Sequence, residues 1–281
     1  MISSLRFLFQ FPYNKKYPFR AIYRFLEWKL IRLLKIENYK KQIWGNKYIY
    51  LNFNSLQSMW LMYHYFVDWE EFNLLEKYLK NKMVFFDIGS NIGFYTLWAS
   101  KFLNNSNTIH SFEPDENNYF RLYENLKINN LENLVNINQL AISDKNSLLK
   151  FSIGLDGENH ILTHSNHSFI NVESVTLDYY CTSKNINCID YLKVDVEGFE
   201  LTVIKGAKNL LSLKKIKIIQ LEINKTISNS NSTIYELINT LKGFGYFLCK
   251  YDVEIKKLIP ILFSDLRENY FLVYDINISD N

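Results

Sequence analysis

The apolar positions change their period along the chain, and each change marks an element. Over residues 19–36, Phe19, Ile22, Tyr23, Leu26, Leu30, Leu33 and Leu34 recur at helical spacing, whereas Arg20, Arg24, Glu27 and Lys35 fall largely elsewhere. This spacing predicts an amphipathic helix with a basic polar side. Its stripe is expected to pack on the main domain, although basic charge beside Tyr17, Phe25 and Trp28 also meets the needs of a membrane-surface helix. Asp68 and Glu71, ahead of Leu74, Leu75 and Leu79, spell a capping box that opens a helix over 69–80.

Short β-rich runs then alternate with helical ones. The pattern predicts a strand over 83–88, a helix over 94–103, a strand over 108–113, a helix over 117–129 and a strand over 135–140. A polar, irregular stretch follows, through Gly154, Gly157 and His160 to Ser168. The alternation resumes with a strand over 189–196, a helix over 201–211, a strand over 216–223 and a helix over 233–241, and segments 246–248 and 270–274 suit a closing antiparallel pair. The predicted fold class is therefore α/β, doubly wound and Rossmann-like, with a mostly parallel sheet. A helical extension over 1–65 precedes a domain over 66–281, and 281 residues with 48% hydrophobic content suit one large core.

Charge sharpens this division. Residues 1–47 hold 11 Lys or Arg against Glu27 and Glu37, a balance of +9, while the remainder carries 21 basic and 27 acidic residues, or −6. The extension is expected to associate weakly with anionic lipid or an anionic glycan carrier. An acidic domain without a base-reading motif makes nucleic acid an unexpected partner. No apolar run reaches the ~18 residues of a membrane-spanning helix, and Met1-Ile2-Ser3-Ser4-Leu5-Arg6 lacks a signal-peptide layout, so the expected location is cytoplasmic, with peripheral contact at the inner membrane face. Cys181, Cys188 and Cys249 have neither the spacing of a zinc site nor an even count, and read as reduced thiols. With 33 Asn against 4 Ala, the composition is skewed enough that Asn-rich stretches and Asn-x-Ser/Thr triplets carry no functional weight.

Candidate chemistry begins at Asp87-Ile88-Gly89-Ser90-Asn91-Ile92-Gly93, directly after the apolar run Val84-Phe85-Phe86. Glycines there let the chain turn sharply and approach a ligand closely. The spacing is not the Gly-x-Gly-x-x-Gly of a diphosphate-binding turn, so a nicotinamide cofactor fits poorly. S-adenosylmethionine has an ammonium group that Asp87 could bind and a ribose whose hydroxyls Glu113 could accept at the end of the next strand. On an extended strand Lys193, Asp195 and Glu197 share a face, and three ionisable groups there must pair or act.

Asp87 to Gly93, Phe112-Glu113-Pro114-Asp115, Ala141-Ile142-Ser143-Asp144, Thr176-Leu177-Asp178 and Leu192-Lys193-Val194-Asp195-Val196-Glu197-Gly198 occur in this order, followed by Gly206-Ala207, Leu221-Glu222-Ile223 and Gly245-Tyr246. With these the chain resembles the FkbM family of methyltransferases over roughly residues 66–250. The Lys-x-Asp-x-Glu-Gly element is the most specific part. The resemblance implies a seven-stranded Rossmann-like fold, S-adenosyl-L-methionine as cofactor, and O-methylation of a hydroxyl, often on a sugar or polyketide-type product. Asn224 stands where family members often have histidine.

The expected cofactor contacts are Asp87, Gly89, Asn91, Gly93, Glu113, Pro114, Ala141 and Asp195. Among the catalytic candidates, Asp195 is expected to position or deprotonate the acceptor hydroxyl, Glu197 to orient it and Glu222 to support them, while Lys193 either joins them or forms an ion pair with Glu197. Asp195, Glu197 and Glu222 would also suit magnesium, but the sequence establishes no metal. His160, His164 and His167 fit a lid over the acceptor, with His164 or His167 as a reserve base and no fourth ligand for zinc. The function expected is O-methylation of a sugar hydroxyl in a glycan or glycolipid. A nicotinamide-type oxidoreductase and a non-catalytic glycan- or membrane-binding module are the alternatives.

Overall fold

The computed structural model describes residues 7–65, 68–79, 83–102, 108–152, 169–223, 231–262, 269–276 and 278. His160, His164, His167 and Asn224 lie outside them. The chain divides into two compact units, Met1–Phe72 and Asn73–Asn281.

In the first unit, helices α1 (Pro12–Lys16) and α2 (Pro18–Leu33) precede a hairpin of β1 (Tyr39–Gln42) and β2 (Tyr48–Leu51), and α3 (Leu56–His64) follows. The hairpin was not expected in a helical extension. Its Gly45 and Asn46, at φ 62° and 57°, make a left-handed turn too short to break the sequence pattern. Helix α2 forms where predicted but buries the other face. Ala21, Arg24, Phe25, Trp28 and Ile31 are inside, whereas the predicted packing stripe is in solvent, with Phe19 86% and Leu33 78% exposed. The helix has two apolar faces, so periodicity alone could not select the buried one. Arg24 decides it, because its charge is satisfied inside: it donates to Asn14 Oδ1 at 2.6 Å and Met62 O at 3.2 Å and lies over the rings of Tyr13 and Tyr65.

Helix α4 (Trp69–Tyr78) leads into the second unit. There β3 (Val84–Ile88), α5 (Phe94–Ala99), β4 (Thr108–Phe112), α6 (Glu116–Lys127) and β5 (Asn136–Asn138) repeat the predicted alternation. Strands β6 (Ala141–Ile142), β7 (Ser147–Ser152) and β8 (Phe169–Val175) form a separate three-stranded sheet, ordered β6-β8-β7. Helix α7 (Leu177–Ser183), β9 (Ile189–Val194), α8 (Glu200–Lys205), α9 (Lys208–Ser212), β10 (Ile216–Glu222), α10 (Asn231–Gly243), β11 (Phe247–Asp252), β12 (Lys257–Pro260) and β13 (Asn269–Val273) complete it.

The main sheet has the order β12-β11-β13-β10-β9-β3-β4-β5. From β10 to β5 the neighbours are parallel, and β13 and β11 add the antiparallel closure. All six residues of β9 are buried, as a central parallel strand covered on both faces requires. This is a Rossmann-like α/β fold: β11 and β13 form the antiparallel pair expected of 246–248 and 270–274, and β12 adds a further strand beside β11.

The helix predicted over 201–211 is two helices, broken at Gly206-Ala207. A side chain on Gly206 would put its Cβ 2.0 Å from the Ser143 carbonyl oxygen. Asp178 N donates to Gly206 O at 3.1 Å, and the Asp178 carboxylate accepts Asn209 N and Leu210 N at 2.9 and 3.0 Å. Three short motifs thus meet at one backbone crossing. Gly206→Ala should therefore lower stability to urea by about 1–3 kcal/mol or more. Gly243→Ala, where a Cβ meets open space, should lose nothing and could gain up to ~1 kcal/mol from helix propensity; equal behaviour of the two variants would contradict this packing.

Candidate active site

The carboxyl ends of β3, β4 and β9 are adjacent in the sheet, and such ends border the ligand crevice of open α/β folds. At β3 the chain leaves through Gly89 at φ 76°, and both Gly89 N and Ser90 N donate to Phe112 O at 3.0 Å. A Cβ on Gly89 would lie 1.7 Å from the carbonyl oxygen of Asp195, so only glycine fits between the two strand ends. Asp195 N donates in turn to Ile88 O at 3.0 Å. Asn91 adopts φ 51°, a conformation asparagine tolerates, which aims its N–H at Glu113 Oε2 at 2.8 Å.

A crevice opens here at the strand ends. Of the expected residues, Gly89, Asn91, Glu113, Pro114, Ala141, Asp195 and Glu197 line it together. The sequence pattern missed Asn118, whose N–H caps onto Asp115 Oδ1, and Phe151 of β7, which closes one wall. The alternation around Phe151 was the available signal, but the segment reads as irregular because of the polar excursion after it.

Asp87, Gly93, Lys193 and Glu222 do not line the crevice. Gly93 packs against α6, where a Cβ would approach Leu122 Cδ1 to 2.5 Å. Asp87 and Lys193 are 0% and 3% exposed and belong to the layer beneath. In the sheet Gln220 pairs with Lys193, Lys193 with Asp87, and Asp87 with Ser111, so four buried polar residues cross four strands in register. Helix α5 satisfies this row from above. Thr96 Oγ1 donates to Asp87 Oδ2 at 2.7 Å and lies 2.6 Å from Ser111 Oγ, Tyr95 OH accepts from Gln220 at 2.9 Å, and Lys193 Nζ lies 4.5 Å from the Tyr95 ring centroid.

Lys193 donates to Asp195 Oδ2 at 2.9 Å and thereby ties the buried row to the crevice. Asp195 thus takes the partnership that the sequence offered to Glu197. The reason is local: β9 ends at Val194, and Glu197 and Gly198 enter a turn at φ 50° and 94°, so the strand alternation lapses before Glu197. Burial works against the Lys193 charge, but Asp195, Asp87 and Glu222 outweigh it and hold the ammonium above its ordinary range. Burial also raises Asp87, with Lys193 and the Thr96 hydrogen bond pulling the other way.

Glu113 is 5% exposed and accepts Asn91 N and, at 3.0 Å, Asp115 N. Burial nonetheless pushes its carboxyl up to about 8, against those two hydrogen bonds. Glu200, another residue the sequence pattern did not single out, is 4% exposed, accepts Gly198 N at 3.0 Å and is pushed up to about 7, again by burial. It braces the turn that carries Glu197. Among the described residues no group of three or more His, Cys, Asp or Glu is arranged to hold a metal ion, so Asp195, Glu197 and Glu222 do not form the oxygen-rich set considered above.

Removing the buried cation should expose its purpose. Lys193→Met leaves Asp87 beside Asp195 without it, and the expected loss of stability is about 3–5 kcal/mol at neutral pH. The raised Asp87 carboxyl can take up a proton as pH falls, so the deficit should shrink toward acid. A deficit independent of pH in urea titrations would argue against this charge balance.

A family model described as the methyltransferase FkbM domain matches residues 87–248, more than half of the chain. Similar solved structures include an FkbM methyltransferase from Methylobacillus flagellatus KT, 15% identical, over 70% of this chain and 44% of that one, with a TM-score of 0.44. Others are the human methyltransferase 10 domain containing protein (12% identity, 90% and 94% coverage, TM-score 0.46) and an O-methyltransferase from Bacillus cereus in complex with SAH (12%, 72% and 78%, 0.41). The chain spans less than half the length of the Methylobacillus protein. No curated protein sequence matches it. The family match covers the glycine turn, Glu113 and the end of β9, and it displaces the nicotinamide oxidoreductase alternative. The chain belongs to the FkbM family of methyltransferases.

Proposed function

We propose that the protein transfers the methyl group of S-adenosylmethionine to a hydroxyl of a sugar in a glycan or glycolipid, in the cytoplasm at the inner face of the membrane. The observation that carries the reading is a buried carboxylate, Glu113, lining the same crevice as Asp195 across a turn that only glycine can make. Two features fit the donor. Glu113 has both oxygens oriented by backbone N–H groups and suits the two ribose hydroxyls. The bare backbone at Gly89 lets a ligand approach closely.

When bound, the donor supplies an electrophilic methyl group on sulfur. Asp195, with Oδ2 fixed by Lys193 and its side chain 27% exposed, accepts a hydrogen bond from the acceptor hydroxyl and takes its proton as the oxygen gains the methyl group. Glu197 orients the acceptor from the crevice rim, and Phe151 helps to exclude water. Glu222 acts through Lys193.

Glu113 gives a pH signature. Its ionised form is the one that accepts both ribose hydroxyls, and burial delays ionisation until pH approaches about 8. Affinity for the demethylated donor product should therefore rise from about pH 6 to about pH 9 in calorimetric titrations. Glu113→Gln should bind about tenfold or more weakly, with a flat profile. A flat wild-type profile would sink the assignment of Glu113. For the chemistry, cells lacking the protein are complemented with wild type or Asp195→Asn, and surface glycans are compared by mass spectrometry. Turnover should fall by about 10²–10⁴ in the variant, and the methylated glycan should be lost with it. Methylation surviving within a few-fold would remove Asp195 from the reaction.

A further inference from the structure

Helix α2 carries two apolar faces, and only one is used. On a wheel of about 100° per residue the buried set, Ala21, Phe25, Trp28 and Ile31, lies opposite an exposed one. Phe19, Tyr23, Leu26, Leu30, Leu33 and Leu34 are 86%, 64%, 59%, 54%, 78% and 60% exposed, a continuous stripe along the whole helix. Isolated exposed leucines are ordinary; a contiguous stripe of this length is what marks an interaction surface.

The charge around the stripe says what kind of surface covers it. Lys15, Lys16, Arg20, Lys29, Arg32 and Lys35 are all exposed. The single acidic residue in this stretch, Glu27, already holds Lys41 in an ion pair and accepts from Tyr39 at 2.7 Å. The outward surface is therefore apolar with a cationic border. A second copy of the chain would set one cationic border against another, which like-charge repulsion opposes. An anionic bilayer matches both features: acyl chains take the stripe, and lipid phosphates take the lysines and arginines. The helix has 16 residues and, like every described helix, is not long and apolar enough to cross a membrane.

We infer that α2 docks the protein flat on anionic lipid, with the Phe19–Leu33 stripe at the boundary between headgroups and acyl chains. The inference rests on the surface of α2 and not on methyl transfer, so vesicle binding succeeds or fails whatever the acceptor is. The test floats the full chain with vesicles of phosphatidylcholine alone or mixed with phosphatidylglycerol. Wild type should bind the mixed vesicles about tenfold or more tightly than the neutral ones and lose that advantage in high salt. Leu26→Gln/Leu30→Gln/Leu33→Gln, which changes only exposed side chains, should abolish flotation while leaving the urea midpoint unchanged. Phe19→Trp should show a blue-shifted emission on anionic vesicles alone.

Equal flotation of the triple variant and wild type would overturn the inference, as would equal binding to neutral vesicles. A concentration-dependent dimer that the triple substitution dissolves, with no flotation by wild type, would assign the stripe to a second copy instead and likewise overturn it.

Discussion

The buried row Gln220–Lys193–Asp87–Ser111 is the constraint on which the α/β unit depends. An apolar sheet face would have been easier to bury, since a charge removed from water is costly unless it is paired. The row is tolerable because its members meet in register across four parallel strands and because α5 places Tyr95 and Thr96 against them. Any slip of β3 against β9 would take Asp87 away from Lys193, leaving the Asp87 carboxylate without that cation while Lys193 keeps Asp195. The row therefore fixes the register of the central strands and, through α5, the path of the chain leaving the glycine turn.

From that register the crevice follows. With β3 and β9 locked, Gly89 and the Asp195 carbonyl are brought so close that no side chain can stand between them. Lys193 then has one partner on each side of the boundary, Asp87 in the core and Asp195 at the crevice floor. In the proposed reaction Lys193 therefore positions Asp195. The site joins a charge-balanced base of strand residues to a rim made of turns, so the rim can change while the base stays fixed.

Most of the second unit was legible in sequence, since each parallel strand is a short apolar run bounded by turn residues and each helix shows its 3.6-residue period. The failures were local and have separate causes. The helix over 201–211 breaks because Gly206 must pass the Ser143 carbonyl, a contact between segments distant in sequence. Strand β7 was hidden by the polar excursion after it, and with it Phe151 of the crevice wall. Glu197 left the strand face because two consecutive left-handed residues interrupt the pleat. The small sheet β6-β8-β7 joins segments on either side of that excursion, so no local window could reveal it.

By itself the sequence determined the kind of fold, the order of its elements and the residue types that gather at the strand ends, because these depend on period, turn chemistry and short motifs. Only the tertiary structure decided which members of those motifs face the crevice and which lie beneath it. Asp87 and Lys193 sit in motifs as conspicuous as Glu113 and Asp195, yet one pair is buried against α5 and the other borders the cleft. Likewise, either face of α2 could have gone inside. The choice came from Asn14, Met62 and two tyrosines that satisfy Arg24, and a satisfied buried charge is a property of three-dimensional neighbours that no helical period records.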